Sequence, residues 1–393
     1  MKKKLIYVVV TLCIHATAFA QVTKVGNDTL LDVGNWNIEW FGDQSNGPSD
    51  EVLQYDNVKS LLKNTDVDVW GLAEVSDPTV FSTLLSDLAV YDAVISTFSQ
   101  TQKTALIWKK GKFSIVGYGN ILTESAYNYD FAGRPPLEVA LKSKDNNITD
   151  TLYFYVLHLK ANTGTQAEKV TSYNRRKNAA GHLKAYLDAN RKNKKVFVLG
   201  DWNDDLDESI VYSNGDYLPS PFLDFLNDSA SYFYASYELT TTGKQSTASY
   251  PNMIDHQLIS TYLRDSFYVA HSANVLTQTA AQIVGYKNNT SDHYPVLSRY
   301  NMKRYFKPVP PPTGMNELTD ALKMIIYPNP AEQSIHVITS LPFTKLTLTN
   351  IIGEVVTETD KADITVNTIM NGIYFLTVSG ENGITTQKIV IQH

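Results

Sequence analysis

The chain has 393 residues, more than one ordinary core accommodates and enough for about two domains. Its composition, 43% hydrophobic and 19% charged, excludes an intrinsically disordered polymer. A formal net charge of −6 argues against broad, non-specific coating of nucleic acid. It leaves room for an enzyme that handles a polyanion through a local basic strip and a metal ion.

Residues 1–20 have the form of a secretory signal. Lys2, Lys3 and Lys4 precede the apolar run Leu5 to Ile14, and Ala18-Phe19-Ala20 is a small-x-small cleavage site before Gln21. The run is too short to span a membrane. Its removal moves the formal charge from −6 to −9 and takes away Cys13, the only cysteine. The mature chain is therefore expected to hold no disulfide and no thiolate.

From there helical and strand-like segments alternate. Val52, Val58, Leu61 and Leu62 have helical spacing, and Val67 to Val75 follows as a strand ending near Glu74. Asp77-Pro78 looks like an N-cap with proline at the first helical position, opening a helix that carries Phe81, Leu84, Leu85 and Leu88. Thr151 to Leu159 is a β-rich run bearing His158; Ala179, Leu183, Tyr186 and Leu187 mark a helix face; Lys195 to Asp201 is again a strand. The pattern predicts a layered α/β domain over residues 21–305. A proline-rich linker over 306–323 contains Lys307-Pro308-Val309-Pro310-Pro311-Pro312-Thr313-Gly314. Residues 324–393 then read as short alternating strands at 334–340, 345–350, 354–358, 363–366, 373–378 and 385–391. Turn signals at Gly353, Asn371-Gly372 and Asn382-Gly383 separate them, which predicts a small β-sandwich.

The first domain repeatedly ends apolar strands on polar groups: Asn37 in NWNIEWF, Glu74 in GLAEV, His158 in VLHLKA, Asp201 and Asn203 in LGDWND, Asp255 in MIDHQLIS, and Asp292-His293 in SDHYPV. An unpaired ionised group in an apolar setting costs several kcal/mol, so strands do not usually end this way. Together these endings suggest a shared polar floor able to bind a hard cation and move protons. Taken singly they are open. Asp201 and Asn203 are two apart on an extended chain and would face the same way, yet an Asx turn fits Asp-Trp-Asn-Asp-Asp equally well. Glu74 alone fits a solvated strand end, Asn37 a turn, and His158 a satisfied strand residue. His293 adjoins Asp292 ahead of Pro295, placing an acid–imidazole pair at the start of a strand, with Asp255 available to orient the ring. His256 should face away from whatever Asp255 faces. Arg175 and Arg176 begin a basic strip that continues through Lys177, Lys184, Arg191, Lys192, Lys194 and Lys195. It is either a contact for a phosphate backbone or a solvated helix face.

In that order the motifs NWNIEWF, GLAEV, GRPPL, VLHLKA, LGDWND, MIDHQLIS and SDHYPV resemble the endonuclease/exonuclease/phosphatase superfamily, over roughly Leu31 to Tyr300. The resemblance implies a four-layer α/β/β/α sandwich of two mostly antiparallel sheets. It implies Glu74 as principal metal ligand, with Asn37 beside it and Asp292 available for a second ion or for substrate. Asp201 and Asn203 would position the attacking water and the scissile phosphate, and His293, held by Asp255, would act as general base or transition-state stabiliser. His158 matches the second histidine of the deoxyribonuclease-like members. Arg134, in GRPPL, with Arg175 and Arg176, would support the phosphate. The expected reaction is in-line attack of water on a phosphodiester, most simply of DNA or RNA, assisted by Mg²⁺, with Mn²⁺ or Ca²⁺ as alternatives. A same-fold esterase acting on sphingomyelin or an inositol phosphate would use the same core residues.

The C-terminal module resembles the type A sorting domain of the Bacteroidetes type IX secretion system. The likeness rests on Ile326-Tyr327-Pro328-Asn329-Pro330, Ile352-Gly353-Glu354-Val355, Met370-Asn371-Gly372-Ile373-Tyr374-Phe375 and Gln387-Lys388-Ile389-Val390. It implies export across both membranes to the cell surface or medium, with that secretion machinery as partner. The further expectation is a monomer with no stable membrane insertion.

Overall fold

The computed structural model describes residues 22–144, 151–302, 324–339, 342–351, 353–380 and 383–393. The signal segment, the proline-rich linker, Ile352 of the sorting motif and Asn382 of the last turn lie outside the described residues. Contacts divide the chain into two units, Met1–Phe306 and Lys307–His393.

The first unit runs β1 (Leu31–Phe41), α1 (Glu51–Thr65), β2 (Val69–Val75), α2 (Pro78–Asp87), β3 (Tyr91–Ile95), β4 (Lys103–Lys109), β5 (Phe113–Asn120), α3 (Ser125–Asn128) and β6 (Leu137–Ser143). It continues through β7 (Thr151–His158), α4 (Gln166–Asn190), β8 (Lys195–Asp201), β9 (Glu208–Ser213), β10 (Asp216–Pro219), β11 (Tyr232–Tyr234), β12 (Asp255–Ser260), β13 (Asn274–Val275) and β14 (Val296–Tyr300), with short helices between. Two six-stranded sheets result, in the orders β13-β14-β1-β2-β4-β3 and β11-β12-β8-β7-β6-β5. Only the β1–β2 and β7–β8 neighbours in them are parallel.

Strand alternation builds the layers. Val69 and Gly71 of β2, with Val33 and Leu106, face Phe154, Val156 and Leu199 of the other sheet; Trp70 and Leu72 turn outward onto Val58 and Leu61 of α1 and Phe81 and Leu84 of α2. On the second sheet Tyr155, Leu157, Val196 and Val198 face Ala179, Leu183 and Leu187 of α4. The first unit is thus the four-layer α/β/β/α sandwich expected from its motifs. The sheets approach closely at Gly71, where a Cβ would lie 3.2 Å from that of Leu199 and 3.4 Å from a Val156 methyl. Asp77 caps α2 through Thr79 and Val80 with Pro78 in the first turn, as predicted. Val52, by contrast, is exposed, because Gln54 takes the inward position and donates to the carbonyls of Ile38, Glu39 and Thr290.

Register sets the floor of the site. His158 and Asp255 both pair with Asp201, so three chemistry-bearing residues stand side by side at one end of β7, β8 and β12.

In the second unit, β15 (Met324–Tyr327), β16 (Ser334–Thr339), β17 (Lys345–Thr349), β18 (Val355–Thr359), β19 (Asp363–Thr365), β20 (Gly372–Gly380) and β21 (Gly383–Ile391) form antiparallel sheets ordered β15-β16-β19 and β18-β17-β20-β21. Ile335, Val337, Leu346, Leu376 and Ile389 fill the space between them. Asn329 of the Tyr-Pro-Asn-Pro segment accepts from Val390 N at 2.9 Å and donates to Lys388 O at 3.2 Å, fastening the start of the module to its last strand.

Candidate active site

Asn37, near the end of β1, joins the two sheets. Its amide nitrogen donates to Glu74 Oε1 and to Asp201 Oδ2, each at 3.0 Å, and its Oδ1 accepts from Glu39 N at 3.0 Å. The Glu39 N–H requires an acceptor, which fixes the amide orientation. In this arrangement Asn37 presents hydrogens to the two carboxylates and its oxygen to the Glu39 backbone. The other oxygen of Glu74 accepts from Trp40 N at 3.0 Å. These contacts require unusual backbone: Glu39, Trp40, Glu74 and Asn203 all have φ between 44° and 62°, a region costly for residues other than glycine and concentrated at functional sites.

Asp201 sits where it does because of Gly200, whose φ is +139° and where a Cβ would lie 2.1 Å from Leu157 O. Beyond Asp201 the strand does not continue. Asn203 N donates to Asp201 Oδ1 at 2.9 Å, closing an Asx turn, and Asn203 Nδ2 donates to Leu159 O at 3.1 Å. The turn, not strand alternation, brings both residues to the cleft.

Two imidazoles flank Asp201. His293 Nδ1 lies 2.7 Å from Asp255 Oδ2 and its Nε2 lies 3.8 Å from Asp201 Oδ2 and from Asp292 Oδ1. Trp36 Nε1 and the Tyr286 hydroxyl both donate to the His293 carbonyl, locking its backbone. His158 Nε2 is 3.6 Å from Glu74 Oε1 and 3.8 Å from Asp201 Oδ2. Burial works against charge on His293, but Asp255, Asp201 and Asp292 outweigh it and hold the ring well above the usual imidazole value. Burial, reinforced by Arg134 and His293, holds His158 well below it. The two rings are thus pushed in opposite directions, His293 toward the charged form and His158 toward the neutral one. Burial also pushes Asp201 up to about 7, aided by Asp255 and Glu74 and opposed by His293.

Glu39 belongs to this site and escaped the sequence reading, although it lies inside NWNIEWF. It accepts from Asp292 N at 2.8 Å, and burial, with Asp292 next, pushes its carboxyl up to about 7. The signal available was a third polar residue at an alternate position of the same strand end. His256 turns away as expected: Nε2 meets Asp204 O at 3.0 Å and Nδ1 meets Ser236 Oγ at 3.2 Å.

The cations divide. Arg134 reaches the cleft, its guanidinium anchored on His158 O, Leu159 O and the Gln102 side chain at 2.8–2.9 Å. Arg176 does not: it is fully buried, with Nε and Nη2 on Asp204 Oδ2 at 3.0 and 2.7 Å. Arg175 stacks 4.3 Å from the Tyr129 ring centre and donates to the Tyr129 carbonyl, away from the cleft lining. Lys184 pairs with Asp188 and Asp228, and Arg191 with Glu138. Three members of the strip expected to grip phosphate, Arg176, Lys184 and Arg191, are thus paired with acids of their own domain. Lys160 and Lys169 line the cleft in its place.

The cleft encloses about 650 Å³. Glu39, Glu74, Asp201 and Asp292 converge on it, and Glu74, His158 and Asp201 each offer a ligand atom within 4.8 Å of the others. Four convergent carboxylates, two of them with raised pKa values, beside two imidazoles are a donor set suited to a hard divalent ion. The residues fit such an ion.

A family model described as the endonuclease/exonuclease/phosphatase family matches residues 34–293, and one described as a secretion system C-terminal sorting domain matches residues 325–392. No curated protein sequence matches the chain. Among solved structures, TDP2 of D. rerio complexed with a single-strand DNA product is 13% identical, covers 70% of this chain and 100% of its own, and has a TM-score of 0.50. A mannosyl-6-phosphatase of Bacteroides thetaiotaomicron is 16% identical, with 69% and 99% coverage and a TM-score of 0.47. The human Nocturnin catalytic domain with bound sulfate is 17% identical, with 69% and 94% coverage and a TM-score of 0.46. The sorting domain directs type IX export, so the protein is secreted or displayed at the cell surface. No described helix is long and apolar enough to cross a membrane. With its motifs, its layered sheets and its convergent acids and imidazoles in place, the chain belongs to the endonuclease/exonuclease/phosphatase family, whose members hydrolyse phosphoester bonds.

Proposed function

We propose that the chain is a divalent-metal-dependent phosphodiesterase acting on nucleic acid. The observation that carries the reading is Asp201 Oδ2 standing 3.8 Å from Nε2 of both His158 and His293, with burial favouring the neutral form of the first ring and three carboxylates favouring the charged form of the second. Opposed protonation biases on two sides of one carboxylate suit the removal of a proton from the attacking water and its delivery to the departing oxygen. Asp201 and Asn203 hold the attacking water. His293, fixed by Asp255, places a charged N–H against the phosphoryl group, and Arg134 neutralises a non-bridging oxygen. Water's oxygen bonds to phosphorus, one P–O ester bond breaks, and the proton lost by water ends on the departing oxygen. A cation such as Mg²⁺, held by Glu74 with Asp201 or Asp292, would supply Lewis-acid stabilisation of the developing charge.

The test uses the full chain with Mg²⁺ or with chelator, on bis(p-nitrophenyl) phosphate, DNA, RNA and sphingomyelin in parallel, with His293→Ala as control. Metal-dependent cleavage of nucleic acid, lost in the variant, is the expected result. Release of choline phosphate with nucleic acid intact would transfer the site to lipid esters.

A further inference from the structure

Arg134 reaches the cleft from the segment that joins β5 to β6, and the turn that delivers it is strained. Ala132 and Gly133, immediately before it, have φ of 55° and 73°. Left-handed backbone at a residue with a Cβ is costly and persists only where the surroundings impose it. Within the turn Ala132 N donates to Tyr129 O, Gly133 N to Asn128 O and Arg134 N to Phe131 O, at 2.9–3.0 Å.

The element that imposes the turn is α4. Arg175, Asn178 and His182 are spaced three and four apart, on one face of that helix. The Arg175 guanidinium lies 4.3 Å from the Tyr129 ring centre, and its Nε and Nη2 both donate to the Tyr129 carbonyl, at 2.9 and 2.6 Å. The same carbonyl accepts from Ala132 N, so the clamp acts on the pivot of the turn. Asn178 Nδ2 meets Asp130 Oδ1 at 3.3 Å, and His182 Nε2 meets Asp130 Oδ2 at 3.1 Å. The His182 ring stands edge-on to Tyr127, with centres 4.8 Å apart. Phe131 is buried in the core cluster that holds Ala179 and Leu183 of the same helix.

Beyond the turn, the Arg134 guanidinium spends three of its five N–H groups on His158 O, Leu159 O and Gln102 Oε1. Two remain for a phosphate oxygen. Their aim depends on where the turn delivers the side chain, because a planar fork is directional where an ammonium is not. We propose that Arg175, Asn178 and His182 are positioning residues, which act on the substrate only through Arg134 by holding the Tyr129–Gly133 turn against α4. Arg175 then serves the phosphate at one remove. The inference rests on the phosphodiesterase reading above.

A double-substitution cycle on the full chain, with bis(p-nitrophenyl) phosphate and Mg²⁺, tests it. Arg134→Ala should lower kcat/KM by about 10- to 100-fold, the worth of a charge-assisted hydrogen bond. Arg175→Ala should lower it by about five- to tenfold in the parent, and by less than about twofold in the Arg134→Ala background, because the two act as one unit. Arg175→Lys keeps the charge and loses the fork, so it should behave as the alanine variant does. Asn178→Ala with His182→Ala, at an exposed and a half-exposed position of the helix, releases Asp130 instead and should show the same dependence on Arg134. Melting temperatures confirm that each variant is folded. Equal losses in both backgrounds would overturn the proposal. So would full activity in Arg175→Lys, which would make the contribution one of charge alone. An Arg134→Ala variant as active as the parent retires the proposal and leaves the phosphodiesterase standing; a parent that leaves the ester intact retires both.

Discussion

The amide nitrogen of Asn37 stands 3.0 Å from Asp201 Oδ2 across the interface between the two sheets, and shares its second hydrogen with Glu74. Two carboxylates that would repel each other are thus held on a neutral fork. Asn37→Ala removes the fork and should lower kcat/KM on bis(p-nitrophenyl) phosphate by about 10- to 100-fold, the usual cost of losing a group that orients ligands. Asn37→Asp, which adds a third negative charge, should be worse than alanine. Steady-state kinetics at saturating Mg²⁺ decides; an alanine variant within twofold of the parent would show that the bridge is dispensable.

Asp255 reaches the reaction only through His293, with 2.7 Å between Oδ2 and Nδ1. Asp255→Asn keeps the volume and removes the charge. The expected loss is about 10- to 100-fold in kcat with little change in KM, because the ring, not substrate binding, is disturbed. A change confined to KM would contradict this.

The buried Arg176–Asp204 pair is structural. Asp204 also accepts from Ser209 Oγ at 2.9 Å and Ile210 N at 2.7 Å, so the pair ties α4 to the start of β9. Replacing Arg176 by alanine leaves an uncompensated buried carboxylate and should destabilise the domain by about 3–5 kcal/mol. Denaturant unfolding monitored by tryptophan fluorescence measures it; a loss under about 1 kcal/mol would mean that the pair is not felt.

How these residues were legible differs case by case. Motif order located Glu74, His158, Asp201, Asp255 and His293, because strand ends in fixed sequence leave a trace that needs no tertiary knowledge. Arg176 is not where its motif points, because a run of Arg and Lys on a helix has the same spelling whether it faces water, a phosphate or a buried acid 28 positions on. Glu39 went unnoticed because its role depends on left-handed backbone at two consecutive non-glycine residues, which local propensity disfavours and only packing enforces. The Asx turn at Asn203 is legible in Asp-Trp-Asn-Asp-Asp, and in the fold it is this turn that brings Asp201 and Asn203 to the cleft together.

His256 supplies a pH prediction outside the cleft. Burial holds its pKa down to about 3, whereas in the unfolded chain it titrates near 6.5. The unfolded state therefore binds the extra proton first, and the contribution of His256 is complete above pH ~6.5 and is lost as pH falls toward ~3, at about 1.4 kcal/mol per unit. Asp205, which burial pushes up to about 6, acts in the opposite sense between about pH 6 and 4. His256→Gln keeps a donor for Asp204 O and removes the titration, so its melting temperature should fall less between pH 7 and pH 4 than that of the parent. Parallel curves for the two proteins would refute the assignment.

The close approach at Gly71 gives the reaction an unexpected dependence on the core. Half of the reacting groups ride on each sheet, so their spacing is set by what fills the gap between the sheets, some residues below the surface. A methyl added at that glycine must displace Leu199 or Val156 by a few tenths of an ångström. Transmitted along β2 and β8, such a shift would change the spacing between Glu74 and Asp201, so Gly71→Ala is expected to lower kcat/KM on bis(p-nitrophenyl) phosphate more than it lowers the melting temperature. The thickness of the hydrophobic layer is, in effect, the focus adjustment of the catalytic groups.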